Sequence, residues 1–559
     1  MGINRRASSI HAALRKKQAA LFLLLILCQL VASQPADPST LLGKVMFGYQ
    51  GWFLTPNDGG NVGWRHWTGD EKFNNATATI DLWPDMSEYV ETEATTGLHY
   101  ANGDQAKVFS SLHPSTVNKH FEWMQDYQLD GVFLQRFLGE LNDRRFFYIR
   151  NNVTLNVRAA AETYGRTFSI MYDISGVSAT SLVQSFKDDW NYLSQTLRVT
   201  QSSGYQLHAG RPVVAIWGFG FADSNHPGTP AQAIELINFL HDAGCFVMGG
   251  IPFWWRDGNR DSRAGYMDAY LAFDALSPWP VGRWSKPADY EGPFKQMYDD
   301  ERLTFSNDKL YAPVLWPGGS NGHASGDVAN NFNSIPRLGG QFFTKQTDEI
   351  VLRLRRSKTF IYIAMYDEMD EGTAMFKAAE TKGDTPSDGT FLYLDIDGIS
   401  LSSDHYLQLA SDFKKNFDQH VIDRLSSNGV MQLRSSSCFP SASSVYRLCM
   451  QADGNLVIYS QADNSVLWAL GVSTHPDPFT LFMQGDGNVV IYDGQNEPIF
   501  AASNDPVWAA KIASSTPPYQ LILHDDGNLA AYDVNQQVVW MRGKDNENLK
   551  KVLNSLRVE

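Results

Sequence analysis

Asp367, Glu368, Asp370 and Glu371 place four carboxylates within five positions, directly after the apolar run 360–365 and just before Gly372 and Thr373. Like charges this close repel, and burial adds to the repulsion. Their pKa values are driven apart, so that one group stays ionised as a base while another keeps a proton as an acid. Glu368 and Glu371 are three positions apart, which in one helical turn sets their Cβ atoms about 5–6 Å from each other. Inverting glycosidases hold their two carboxyl groups about 6.5–9.5 Å apart and retaining ones closer, so the spacing leans towards retention of configuration. Gly372 permits the tight turn that follows. The bland reading of such a cluster is a solvated face or a weak cation site.

A second pattern repeats three times. Gln451, Asp453, Asn455, Val457 and Tyr459 recur as Gln484, Asp486, Asn488, Val490 and Tyr492, and again as His524, Asp526, Asn528, Ala530 and Tyr532. Alternation with period two puts each set on one face of a strand. A row of amide, carboxylate, amide and phenol makes a poor core but supplies donors and acceptors for vicinal sugar hydroxyls, with Val packing on the carbon face. A turn repeated only for folding accounts for Asp and Gly but not for the flanking Gln and Tyr. In the third copy, His524 and Ala530 replace Gln and Val, which weakens that pocket.

Elements must position these residues. Eight short apolar, β-rich runs lie at 45–49, 131–135, 168–173, 213–217, 246–251, 272–277, 311–316 and 360–367, with helix-like stretches at 114–127 and 230–243 between them. Eight strands alternating with helices describe an α/β fold, a (β/α)8 TIM barrel, over residues 41–425; an open α/β sheet is the alternative. The connection from about 50 to 130 is too long for one helix and must be an elaborated loop. In a barrel the strand C-termini carry the chemistry. Here those ends hold Tyr49, Trp52, Arg136, Asp173, Trp217, Trp254, Trp316 and, in the loop after the first strand, His66. Trp rings of this kind stack on sugars; the alternative is that they plug the barrel mouth. The Ser-rich stretch 426–445 reads as a linker, and 446–545 as an all-β repeat domain.

Composition narrows the function. The chain has 559 residues, a net charge of −15, 15 Trp and 13% aromatic residues. Without surplus Lys or Arg, nucleic acid is excluded as a main partner and stable membrane association is not expected. Arg5, Arg6, Arg15, Lys16 and Lys17 precede an apolar run of about 14 residues that ends in Ala32-Ser33, the pattern of a signal peptide over 1–33. Secretion follows, with a type II membrane anchor as the alternative. Cys28 leaves with the signal, Cys245 is a buried thiol, and Cys438 and Cys449 are spaced for a hairpin disulfide. Asn75 and Asn152 begin glycosylation sequons. No metal site or cofactor motif is visible. Asp395-Ile396-Asp397-Gly398 lacks the remaining ligands of a calcium loop and reads as a turn.

Two resemblances bring these signals together. The repeat Q-x-D-x-N-x-V-x-Y is similar to that of the bulb-type (monocot mannose-binding) lectins, which implies a β-prism with a mannose pocket in each copy. The segments 48–53, 64–67, 131–137 and 366–373 resemble the glycoside hydrolase family 71/99-like proteins, related to the family 99 endo-α-mannosidases, which implies a (β/α)8 barrel. The family's E-x-x-E-G motif falls on Glu368, Glu371 and Gly372. The resemblance implies that Glu368 deprotonates the substrate's own 2-hydroxyl and that Glu371 protonates the leaving oxygen, then activates water. Met369-Asp370 stands where that family has Trp-His. The expected partner is a mannose-containing polysaccharide or N-glycan. The rival reading is a glycan-binding lectin with an inactive barrel.

Overall fold

The computed structural model describes residues 35–543 apart from 90–93, 354–358, 420–423, 427–431, 436, 442–444, 472–478, 518, 525, 534 and 536. The signal-peptide reading of 1–33 and Cys28 lie outside the described residues. No helix among the described residues is long and apolar enough to cross a membrane. The chain divides into two compact units, one of 1–345 with 358–414 and the other of 346–357 with 415–559.

The first unit is built on parallel strands. Val45–Tyr49, Gly131–Phe137, Thr167–Asp173, Arg211–Trp217, Phe246–Pro252 and Ala275–Trp279 pair in that order. A seventh run is broken in two. Its first half, Leu310–Tyr311, pairs with the sixth strand, and its second half, Val314–Leu315, with Ile361–Ile363. That last strand pairs back onto the first, through Val45 opposite Ile361, so the order of pairings returns to its start. This is a TIM-barrel-like domain. The break falls at Pro313, which has no amide hydrogen for a ladder. All eight runs expected from the sequence are strands. The sixth starts later than expected because Ala272 ends the helix Met267–Ala272, and the eighth ends at Ile363.

Local chemistry explains the helices between them. Pro114–Asp126 starts with proline in its first turn, where the missing N–H costs nothing. Pro230–Asp242 carries a capping box between Thr229 and Gln232. Arg144–Tyr164 is capped by Asp143 and stops at Gly165, whose φ of 60° suits glycine. The strands between are buried on both faces, as a parallel sheet covered by helices requires. The long first connection contains the hairpin Ala94–His99 with Gln105–Val108 besides its helix. Cys245 is a buried free thiol that burial pushes up to about 12.

The second unit contains three four-stranded antiparallel sheets. The repeats supply Tyr446–Met450, Leu456–Ser460 and Val466–Ala469; Thr480–Met483, Val489–Tyr492 and Pro498–Ala501; and Gln520–Leu523, Asn528–Tyr532 and Val538–Gly543. The fourth strand of two sheets comes from the stretch expected to be a linker, and that of the third from 424–426, where the expected barrel domain ends. Ser437–Pro440, Gln432–Arg434 and Arg424–Ser426 join the first, second and third sheets respectively. The linker reading fails because Leu433 and Phe439, isolated among polar residues, bury in the shared core beside Leu456, Leu481, Leu529 and Trp540. Cys438 and Cys449 face each other across two of these strands and are disulfide-bonded. The helix Pro506–Ala513 is inserted between the second and third copies, which accounts for their longer spacing.

Candidate functional site

Beyond Ile363 the chain leaves the ladder and enters the acidic segment. Residues 369–372 form a turn, not the helical turn expected, closed by Gly372 N–H donating to the Met369 carbonyl at 3.3 Å. Gly372 has φ +61°, and a Cβ there would lie 3.1 Å from Ser320. The turn is pinned from outside: Ser320 N donates to the Glu371 carbonyl at 2.8 Å, Asp81 N to that of Met369 at 3.2 Å, and Arg337 to those of Gly372 and Ala374.

The two glutamates have different surroundings. Glu368 is buried, with Oε1 accepting from Gln50 Nε2 at 2.7 Å and Oε2 from Thr373 Oγ1 at 2.5 Å. Burial first, then the charges of Glu371 and Asp370, push its carboxyl well above the usual range, while the donors from Thr373 and Gln50 pull it down. Glu371 presents an exposed side chain. The protein packed around it, and next the charge of Asp370, still push its carboxyl up to about 7. Its accessible surface means that water or a ligand reaches this carboxyl even though its surroundings are dense.

The two remaining acids support the pair. Asp367 is fully buried and accepts from Gln50 N at 2.7 Å and Gly51 N at 2.9 Å, tying the segment to the end of the first strand. Asp370 accepts from His66 Nδ1 at 2.9 Å. His66 lies flat on Trp52, with ring centroids 3.8 Å apart and planes at 5°, and Trp52 stacks on Phe137 at 5.1 Å.

The expected site residues separate into two groups. Trp52, His66, Asp173, Trp217 and Trp254 retain open surface. Trp217 packs edge-on to Trp279 at 5.5 Å, and Trp279 to Tyr362 at 6.2 Å, so an aromatic wall runs towards the last strand. Arg260 covers Trp254, 3.7 Å from the ring centre. The other three do not offer ligand-facing surface. Tyr49 is fully buried and bonded to His120 Nδ1 at 2.8 Å, whose other nitrogen meets Tyr89. Arg136 is sealed in an ion pair with Asp189 and a 2.8 Å bond to Asn151. Trp316 is buried against Trp284 and Phe342. These three sit at strand ends, as expected, but point outwards or into packed loops.

Gln50, Gln135, Trp279, Tyr362 and Thr373 were not singled out as site residues. Gln50 follows the first strand, and its role depends on pairing with a segment 318 residues away, which no local pattern announces. Gln50 Oε1, Trp52 Nε1, Asp370 Oδ1 and Trp217 Nε1 are buried atoms without a hydrogen-bond partner among the described residues. Such groups call for a ligand or water.

In the second unit equivalent residues of the three repeats make equivalent bonds. Each first residue bonds the tyrosine hydroxyl eight positions on: Gln451 Nε2 at 2.5 Å, Gln484 Nε2 at 2.8 Å and His524 Nε2 at 2.9 Å. Each aspartate, at 453, 486 and 526, accepts the backbone N–H of the asparagine two on, at 3.0, 3.0 and 2.9 Å. Each turn carries a glycine with φ of +86° or +87°. His524 thus reproduces the bond that Gln makes in the other copies. The asparagines differ. Asn455 Oδ1 accepts from Gly471 N at 2.8 Å, and both ends of the Asn488 amide are taken by Ser503. Asn528 Oδ1 is buried without a partner among the described residues.

No protein-family model and no curated protein sequence matches the chain. Among solved structures, the GH99 endo-α-mannosidase from Bacteroides thetaiotaomicron aligns with 14% identity over 68% of this chain and 99% of its own, at a TM-score of 0.49. A monomeric monocot mannose-binding lectin from Gastrodia elata aligns with 30% identity over 21% of this chain and 94% of its own, at 0.17. The mannose-specific agglutinin of snowdrop, Galanthus nivalis, solved with methyl-α-D-mannoside, aligns with 29% identity over 21% and 93%, also at 0.17. The chain therefore joins a domain similar to the GH99 endo-α-mannosidases to a domain similar to the monocot mannose-binding lectins.

Proposed function

We propose that the chain is a secreted, retaining glycoside hydrolase of α-mannoside-containing glycans, delivered to substrate by a mannose-binding β-prism. One observation carries the enzymatic reading: two glutamates flank the start of one tight turn, one buried between donors from Gln50 and Thr373, the other exposed with its carboxyl pushed up to about 7. That is the division of labour between a fixed base and a proton-exchanging acid. Glu368, its two oxygens each facing a donor, takes the proton of the sugar's 2-hydroxyl as that oxygen attacks the anomeric carbon. Glu371 protonates the departing glycosidic oxygen. In the second half, Glu371 takes a proton from the incoming water and the 2-hydroxyl recovers its own from Glu368. Two inversions give retention. Trp217 and Trp279 supply aromatic surface for sugars, and the unpartnered Gln50 Oε1 and Asp370 Oδ1 are acceptors for hydroxyl groups or water. In the lectin unit, the Gln, Asp, Asn and Tyr of each copy bind mannose hydroxyls. Digestion of α-mannan by wild-type protein and by Glu371→Gln, with mass analysis of products, tests the reading; a panel without any released sugar refutes it.

A further inference from the structure

Three residues of the first unit that the glycosidase chemistry does not use are hydrogen-bonded in series. Ser175, in the loop after the third barrel strand, places Oγ 3.0 Å from His226 Nε2. His226 Nδ1 lies 2.7 and 2.8 Å from the two carboxylate oxygens of Asp223. This is the order in which a serine nucleophile, its general base and the group that orients the base must stand, and such sites are recognised by geometry rather than by chain position. Further contacts hold the arrangement, although the Asp223 side chain is half exposed. Asp223 also accepts from the backbone of Asn225 at 2.8 Å and of His226 at 3.2 Å, so its carboxylate is held in place independently of the imidazole. The His226 ring packs against Phe221 at 5.0 Å and Trp217 at 5.1 Å. Gly218, with φ +120°, lets it approach, since a Cβ there would sit 2.9 Å from His226 Cδ2. His226 is buried whereas Ser175 keeps open surface, so the base is shielded and the nucleophile is reachable. Burial raises the Asp223 carboxyl, but the bonds from His226 outweigh it and hold it below the usual range, so it stays ionised opposite the imidazole.

We propose that Ser175, His226 and Asp223 form a second catalytic site, an acyl-transfer site that hydrolyses O-acyl esters on glycans. Ser175 Oγ attacks the ester carbonyl carbon while its proton passes to His226 Nε2. The carbon–oxygen bond to the sugar breaks, and the sugar oxygen takes that proton and leaves as a free hydroxyl. Water then attacks the acyl-serine, giving its proton to His226; the carboxylic acid departs and Ser175 recovers its hydrogen. The glycan ester follows from position. Ser175 N donates to Asp173 at 2.7 Å, and Trp217 both touches His226 and belongs to the aromatic wall, so an acylated sugar held there presents its ester to Ser175. That substrate class rests on the glycan reading above; the site itself does not.

The test uses the full chain and a fluorophosphonate probe, with peptide mass spectrometry, alongside hydrolysis of 4-nitrophenyl acetate. The wild type and Glu371→Gln should both carry the adduct on Ser175. Ser175→Ala should lose it and fall to background hydrolysis, and His226→Gln, checked for an unchanged melting transition, should label about 10²-fold more slowly. Absence of an adduct on Ser175, or ester hydrolysis unaffected by Ser175→Ala, overturns the proposal. An adduct without acetate release from acetylated mannan supports the triad and overturns the glycan ester as its substrate.

Discussion

Glu368 and Glu371 are three residues apart, yet one is sealed between two donors and the other faces solvent. Their roles are therefore separable by mutation. Glu371→Gln should keep sugar binding and lower kcat by at least about 10²-fold, the usual scale for losing a general acid; binding measured by calorimetry and turnover measured on the same sample check this. The acid must be protonated to act, and its carboxyl is pushed up to about 7. The rate should accordingly fall as pH rises through that value, and fall again towards acid pH as the base Glu368 gains a proton, giving a bell-shaped profile of kcat/KM. Asp367 supplies a stability counterpart. Burial lifts it from 3.8 to about 7, so between those values the folded chain binds a proton that the unfolded chain does not. Its contribution to stability declines as pH rises across that window. Asp367→Asn should flatten this dependence in thermal melts, at a cost of about 1–3 kcal/mol because its amide nitrogen faces a backbone donor.

Elements decide how well similar residues work. The turn 369–372 is built on one left-handed glycine against Ser320. Gly372→Ala should destabilise the first unit by about 1–2 kcal/mol, read as a lower Tm, because an L residue with positive φ crowds its own carbonyl. Among the repeats, equal motifs hold unequal amides. The Asn488 amide is occupied at both ends by Ser503, whereas Asn455 has its Oδ1 committed to Gly471. Asn455→Ala should thus reduce retention on a mannan column more than Asn488→Ala. His524 keeps the tyrosine bond of its copy, which leaves Ala530 for Val as the main difference of the third pocket. His524→Gln should leave mannan retention nearly unchanged, whereas Ala530→Val should raise it.

At the scale of the molecule, a sugar-binding second unit would raise the effective concentration of a polymeric substrate at the barrel but not of a small one. Removing residues from 424 onward should reduce activity on α-mannan and spare that on a small aryl mannoside; equal loss on both refutes the targeting role. Much of this organisation is written locally. The eight β-rich runs, the helix starts at Pro114 and Pro230, the acidic motif and the threefold repeat each depend on residues close in the chain, so pattern and turn chemistry suffice to find them. What tertiary structure alone decided is which side chains at those positions face a ligand. Tyr49, Arg136 and Trp316 sit at strand ends like Trp52 and Trp217, but His120, Asp189 and Trp284, distant in the chain, claim them for the core. The same holds for the Ser-rich stretch before the repeats, whose isolated Leu433 and Phe439 make strands only because two separate sheets take them up. Local sequence sets backbone preference and period, whereas exposure and hydrogen-bond partnership depend on residues the fold brings together.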